Sequence, residues 1–79
     1  MTTKYTPVPC SIYGKYESAI FKGHRLRLCW VGAQGQHHIE TVTISDLRVK
    51  HRAEYMICQN IHGQRRILRL DRVRSARII

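Results

Sequence analysis

The sequence has few acidic residues and lacks the motifs that usually indicate catalysis. Only 5 Asp and Glu residues stand against 14 Lys and Arg, which gives the 79-residue chain a formal net charge of +9. It contains no phosphate-binding glycine loop, no nucleophile elbow and no closely spaced pair of carboxylates. A chain this short also has little room for a deep pocket beside a core. We therefore expect a binding module that is not an enzyme and uses no cofactor.

The cysteine pattern argues against both disulfides and a metal site. Cys10, Cys29 and Cys58 are odd in number, widely spaced and without a CxxC pair. His37 and His38 cannot easily chelate one ion, because adjacent residues of a strand point to opposite faces. The chain also lacks an apolar run of membrane-spanning length and a signal-peptide pattern. These features predict a cytoplasmic protein without a bound metal.

The positive charge is concentrated in the second half of the chain. Residues 1–46 contain five basic and three acidic residues, whereas residues 47–79 contain nine basic and two acidic residues. Ten of the cations are arginines, whose planar guanidinium suits phosphate groups and stacks on bases. This asymmetry indicates a polyanionic partner, such as nucleic acid, an acidic protein or a membrane surface. The candidate nucleic-acid-binding residues are Arg48, Lys50, Arg52, Arg65, Arg66, Arg69, Arg72 and Arg74.

Hydrophobic periodicity predicts a mainly β domain over residues 1–79, with residues 1–6 flexible. A helix of one or two turns is expected over residues 12–21, capped by Ser11 and ended by Gly23. Alternation of apolar and polar residues predicts five strands, over residues 24–31, 37–44, 54–59, 64–70 and 73–79.

Details of the strand pattern predict where the sheet is regular and where it is not. Leu26, Leu28 and Trp30 should share the buried face of the first strand. The second strand needs a bulge near Glu40 to keep its apolar residues in phase, and a polar loop is expected over residues 48–52. In the fourth strand the arginines fall on both faces, which predicts a twist, a bulge or an edge position near Arg66.

A helix followed by five short antiparallel strands is typical of a small barrel. The OB-fold and the Sm-like barrel both fit this description, but a leading helix and a short corner between the last two strands favour the Sm-like barrel. Asp71 falls at that corner, where we expect it to pair with an arginine or to cap backbone amides.

An ordered set of residues resembles the Rof-type Rho-binding antiterminators and covers nearly the whole chain. No single residue is diagnostic, whereas the order of the set is. It consists of Tyr5, Pro7, Cys10, Tyr13, Glu17, His24, Leu26, Leu28, Gly35, Ser45-Asp46-Leu47, Glu54-Tyr55, Leu68-Arg69-Leu70-Asp71 and Ser75.

The resemblance implies a fold, a partner and a surface. Rof-type proteins have an Sm-like fold, are usually monomeric, and bind the transcription terminator Rho at its primary RNA-binding site, which inhibits Rho-dependent termination. The contacts are made by the N-terminal helix and a neighbouring part of the barrel. Carried over to this chain, the partner-binding residues are Tyr13, Lys15, Tyr16, Glu17, Lys50, His51 and Arg52.

The chain departs from the Rof pattern in its charge. Rof-type proteins are acidic at the positions of Ser11, Ile12 and Gly14, and Glu17 alone is retained here. A basic protein would be repelled by a basic RNA-binding site. An alternative is a basic Sm-like module that binds single-stranded RNA or another polyanion directly. For Tyr13 and Tyr16 a further alternative is that they only pack the helix onto the sheet.

Overall fold

The computed structural model describes residues 4–79, which form one helix and one five-stranded antiparallel sheet. The elements are α1 (Cys10–Lys22), β1 (Arg25–Val31), β2 (His37–Lys50), β3 (Ala53–Asn60), β4 (Arg65–Arg69), a short 3-10 turn (Leu70–Arg72) and β5 (Val73–Ile78). The strand order across the sheet is β4-β3-β2-β1-β5. The predicted mainly β fold with a leading helix is therefore confirmed. Within residues 4–79, no helix is long and apolar enough to cross a membrane.

The sheet is open and is not closed into the small barrel that was predicted. Within the described part of the chain, β4 pairs only with β3, and β5 pairs only with β1. The 3-10 turn that follows β4 lets the chain cross to the other edge, where β5 pairs with β1. Both edge strands carry arginines, such as Arg65 on β4 and Arg77 on β5, and charges on an edge strand oppose strand pairing.

Helix α1 is longer than predicted, and its beginning differs from the prediction. Pro9 occupies the N-cap position, where its carbonyl accepts from two amides of the first turn and no side chain caps the helix. Ser11, the predicted cap, lies inside the helix. Gly23 ends the helix as predicted: its φ is 68°, its amide donates to Ile20, and the next amide donates to Ala19. This pair of bonds is the Schellman arrangement, which favours glycine because the backbone is left-handed.

Strand β2 extends to Lys50, into the segment over residues 48–52 that was predicted to be a polar loop. It is 14 residues long and pairs with β1 through its first half and with β3 through its second. The bulge lies at Ser45 instead of Glu40, since the register shifts between Ile44 and Asp46. Without an earlier bulge, Ile39 faces solvent and is 63% exposed.

The turn between β2 and β3 contains only His51 and Arg52, which have φ values of 52° and 63°. Two consecutive left-handed residues match the twist of an antiparallel hairpin, although glycine or asparagine usually occupies these positions. The sequence therefore gives no turn signal here, and the hairpin was predicted as a loop.

The core lies between α1 and the inner face of the sheet. Leu26, Leu28 and Trp30 are buried as predicted. They pack with Tyr16 and Ala19 of the helix. Residues of β2, β3 and the 3-10 turn complete the core: Val42, Ile44, Met56, Cys58 and Leu70. Burial of apolar surface is the dominant favourable contribution to folding, so substitutions in this cluster should destabilise the fold most.

The N-terminal segment is attached to the sheet by hydrogen bonds. The Tyr5 hydroxyl donates to Glu54 at 2.8 Å, and the Thr6 amide donates to Asp71 at 3.0 Å. Both residues belong to the segment that was predicted to be flexible, whose residues 1–3 lie outside the described residues. These bonds hold residues 5 and 6 against β3 and the corner that precedes β5.

Candidate partner-binding surfaces

Three carboxylates from different elements act electrostatically on Tyr13 of α1, and we call this group of residues the acidic patch. Burial raises the pKa of Tyr13, and the negative charges of Glu54, Glu17 and Asp46 raise it further. These carboxylates are therefore close enough to act on the Tyr13 hydroxyl, although they come from α1, β2 and β3. Tyr13 is only half-buried and also packs against the core, so it holds the helix and faces the patch.

The acidic patch extends toward the N-terminal segment. Burial raises the pKa of Tyr5, and so do its hydrogen bond to Glu54 and the charges of Glu54 and Asp71. Four of the five acidic residues therefore raise the pKa of Tyr5, of Tyr13 or of both. The chain as a whole is strongly basic, yet almost all of its carboxylates lie in one region.

The carboxylates of the patch differ in how far they are neutralised. Asp46 accepts from Arg48 Nε at 2.7 Å in an exposed pair, and this bond lowers the pKa of Asp46. Glu54 accepts from the Tyr5 hydroxyl. Glu17 is exposed and forms no ion pair with any residue between 4 and 79. Glu17 is thus the carboxylate most available to a positively charged partner.

A second surface, which we call the basic groove, is formed by β2, β3 and β4 and meets the acidic patch where Arg48 pairs with Asp46. It is an open cleft of about 590 Å³ lined by Arg48, Lys50, His51, Tyr55, Arg65 and Ile67, among others. A smaller cleft of about 390 Å³ shares Tyr55 and Ile67 with it and continues to Trp30 and Arg72. None of the described residues that line either cleft is acidic. Three of the predicted nucleic-acid-binding residues therefore lie together in one groove, and two more, Arg69 and Arg72, line the adjoining cleft.

Two other predicted nucleic-acid-binding arginines, Arg66 and Arg74, are held by contacts within the protein. Arg66 donates twice to Glu40, at 3.0 and 3.2 Å, and this pairing lowers the pKa of Glu40. Arg74 donates to the backbone carbonyl of Asp71 at 2.8 Å. Arg52 is exposed in the β2–β3 turn. The predicted edge position near Arg66 is confirmed, because β4 is an outer strand.

Arg69 is the clearest case of a predicted binding residue that has a structural role. It donates through Nε to Asp71 Oδ1 at 2.7 Å and through Nη2 to Oδ2 at 3.0 Å. Its guanidinium also lies over the ring of Tyr5, 5.8 Å from the centroid. The side chains of Arg69 and Asp71 are only 8% and 11% exposed. The predicted role of Asp71 as a corner residue that pairs with arginine is confirmed.

The predicted partner-binding residues divide between two surfaces. Tyr13 and Glu17 belong to the acidic patch, whereas Lys50 and His51 line the basic groove. Tyr16 is 3% exposed and belongs to the core, so its packing role is the one observed. The exposed Lys15 donates to the carbonyl of Ala76 at 3.1 Å.

Sequence reasoning missed a further group of cations on β1 and β5. Arg27 and Arg77 lie directly opposite each other in neighbouring strands and, with Lys15, line a cleft of about 620 Å³. Alternation in β1 does predict that Arg27 faces outward, but its partner depends on the register of β5. This second cationic cleft contains no aromatic residue among its described lining.

Among residues 4–79, no group of three or more His, Cys, Asp and Glu side chains is placed to hold a metal ion.

The sequence matches no protein-family model, and comparisons with curated proteins and with solved structures likewise gave no match.

Proposed function

We propose that this chain is a non-catalytic regulator resembling the Rof-type antiterminators. It binds Rho at the primary RNA-binding site and thereby inhibits Rho-dependent termination. The observation that carries the proposal is the acidic patch: a chain of net charge +9 gathers Glu17, Asp46 and Glu54 around Tyr13 of the N-terminal helix. The N-terminal helix is also where the resemblance expects the contact with Rho.

The fold is compatible with the Sm-like architecture that the resemblance implies, and we include that architecture in the proposal. A helix precedes the sheet, β5 lies beside β1, and a short turn separates β4 from β5. The helix packs on the sheet through Tyr16 and Ala19, which leaves Glu17 exposed to a partner.

The proposed mechanism is competition between carboxylates and RNA phosphates for the same cations on Rho. A site that binds RNA is rich in Lys and Arg, and these residues bind carboxylates through charge-assisted hydrogen bonds. Glu17 supplies the available negative charge, and the half-buried ring of Tyr13 supplies an apolar contact beside it. Occupation of the site by the helix then excludes RNA without any chemical step.

The experiment is titration calorimetry of the purified chain against Rho, with Glu17→Gln as the test variant and Gln34→Lys as its control. Both substitutions raise the net charge by one, but Gln34 lies in the exposed β1–β2 turn. We expect Glu17→Gln to weaken binding by about 10-fold, in keeping with a close interfacial charge pair. The control should bind as the wild type does, and RNA should compete with the complex. Absence of binding by the wild-type chain, or of any effect on termination in vitro, would exclude the proposal.

A further inference from the structure

The floor of the basic groove is formed by β3 and its neighbour β4. Tyr55 is half-buried and lies opposite Arg48 of β2 on one side and Arg69 of β4 on the other. Ile57 and Ile67 are paired directly across the two strands, and Ile67 is 62% exposed. The floor therefore combines an aromatic ring with an exposed aliphatic surface.

Cations stand on both sides of this floor. Arg48 and Lys50 come from β2, and Arg65 comes from β4, so that they flank the central strand β3. Within the described part of the chain, Lys50 and Arg65 form no ion pair, and Arg48 is held only by its exposed pair with Asp46. The charges of Lys50 and Arg65 are therefore available to a ligand, whereas a phosphate on Arg48 would compete with Asp46 for the guanidinium.

The turn at the end of the groove is held in an unusual conformation. His51 and Arg52 both have positive φ values, which non-glycine residues seldom adopt. His51 lines the groove beside Lys50. This two-residue turn ends the β2–β3 hairpin and places His51 at the end of the groove.

The kind of ligand follows from the combination of charge and aromatic surface. We propose that the basic groove and its adjoining cleft bind single-stranded RNA, with phosphates on Arg48, Lys50 and Arg65 and an unpaired base on Tyr55. Proteins that bind single strands combine a positively charged groove with aromatic side chains on which bases stack. A duplex cannot place a base on Tyr55, because its bases are already stacked and paired. An acidic peptide would use the cations but leave the aromatic floor without a matching group.

Lys50 and His51 of this site are also among the residues that the resemblance assigns to the contact with Rho, but RNA binding by the groove can be tested without Rho. The assay measures binding of the chain to a labelled uridine oligonucleotide by fluorescence anisotropy, over a series of salt concentrations that begins at about 50 mM. Each phosphate contact on a single strand contributes about −0.7 to the slope of log K against log salt. The double variant Lys50→Ala/Arg65→Ala should therefore reduce the magnitude of the slope by about 1.4 and weaken binding. Tyr55→Leu keeps an apolar residue in the strand and should weaken binding by about 5- to 150-fold with the slope unchanged.

The matched control is the double variant Arg27→Ala/Arg77→Ala. It removes the same charge from the other cationic cleft, which lacks an aromatic residue among its described lining. The proposal requires this control to retain most of the wild-type affinity and slope, with folding of every variant confirmed by its thermal transition. Equal losses in the two double variants would show binding to net charge alone and overturn the proposal. So would undetectable binding at low salt, equal affinity for duplex RNA, or tighter binding of polyglutamate that is insensitive to Tyr55→Leu.

Discussion

Asp71→Asn tests whether the Arg69–Asp71 pair is a structural element of this fold and not a binding group. Asp71 accepts two hydrogen bonds from Arg69 and one from the Thr6 amide, and both charged side chains are about nine-tenths buried. Removal of one partner of a buried ion pair costs about 3 to 5 kcal/mol, because the other charge stays buried without compensation. An asparagine oxygen can still accept one hydrogen bond, so we expect the free energy of unfolding to fall by about 3 kcal/mol.

A loss of this size is easy to measure in a domain of this length. Urea unfolding can be followed through Trp30, the only tryptophan, which is 7% exposed in the core. With a slope of about 1 to 3 kcal/mol per M, the midpoint should fall by about 1 to 3 M urea. The thermal midpoint should fall by about 12 to 24 °C. The control is Asp46→Asn, whose exposed pair with Arg48 should leave the midpoint nearly unchanged.

The dependence on pH gives a second test of the same pair. Burial alone would raise the pKa of Asp71, but the bonds from Arg69 and Thr6 outweigh it, so its pKa lies below the usual value. A carboxyl whose folded pKa is lowered stabilises the protein above its unfolded pKa, and the stabilisation is lost as the pH falls through the folded value. The free energies of unfolding of the wild type and Asp71→Asn should therefore differ most above about pH 4, and the difference should shrink below that pH. If Asp71→Asn lowered the free energy of unfolding only slightly at neutral pH, or by no more than Asp46→Asn does, the structural role would be refuted.

Two further predictions concern the helix and the cysteines. Gly23→Ala should cost about 1 kcal/mol in the free energy of unfolding, because Gly23 has a φ of 68°. Gly14→Ala, in an open position within α1, should instead stabilise by about 0.5 to 1 kcal/mol, and equal effects in urea unfolding would contradict the helix-end geometry. Burial and the charge of Glu40 raise the pKa of the Cys58 thiol to about 11, so it should react with a thiol reagent only on unfolding. The exposed Cys10 should react at once in the native protein, and rapid labelling of Cys58 would contradict its burial.

The parts of the fold that could be predicted are those that local sequence determines. Alternation of Leu26, Leu28 and Trp30 placed β1 and its buried face, because a strand with one face in the core has a period of two. Gly23 marked the end of the helix, because only glycine adopts the left-handed conformation at no steric cost.

The extent of β2 could not be predicted, because two of its features resemble a break. Ser45 and Asp46 look like turn residues, yet Ser45 is the bulge and its hydroxyl donates to the carbonyl of Ile57 at 3.0 Å. Asp46 bonds the amide of Leu47 and the side chain of Arg48 without leaving the strand. The bulge absorbs the extra residue, so the pairing with β3 resumes one residue later.

The two candidate surfaces required the tertiary structure for a different reason. Glu17, Asp46 and Glu54 are far apart in sequence, and only the packing of α1 on the sheet brings them around Tyr13. The arginines of β4, which look like one positive run, divide between the groove at Arg65 and internal pairs. Strand alternation predicted that the arginines of β4 fall on both faces, but it placed Arg69 with Arg65, and the internal partners of Arg66 and Arg69 depended on the tertiary structure.

The arrangement of charge explains how a strongly basic chain can present a surface to a basic partner. At physiological ionic strength, interactions between exposed charges are largely screened beyond about 8 Å, so a docked interface responds mainly to the groups that touch it. At the acidic patch those groups are Glu17 and its neighbours, whereas Arg66 and Arg69 are neutralised by Glu40 and Asp71. The net charge of +9 acts before contact, where it slows the approach to a positive site and speeds the approach to RNA. The net charge thus affects the association rates of positively and negatively charged partners. The local placement of carboxylates determines which partner each surface can bind.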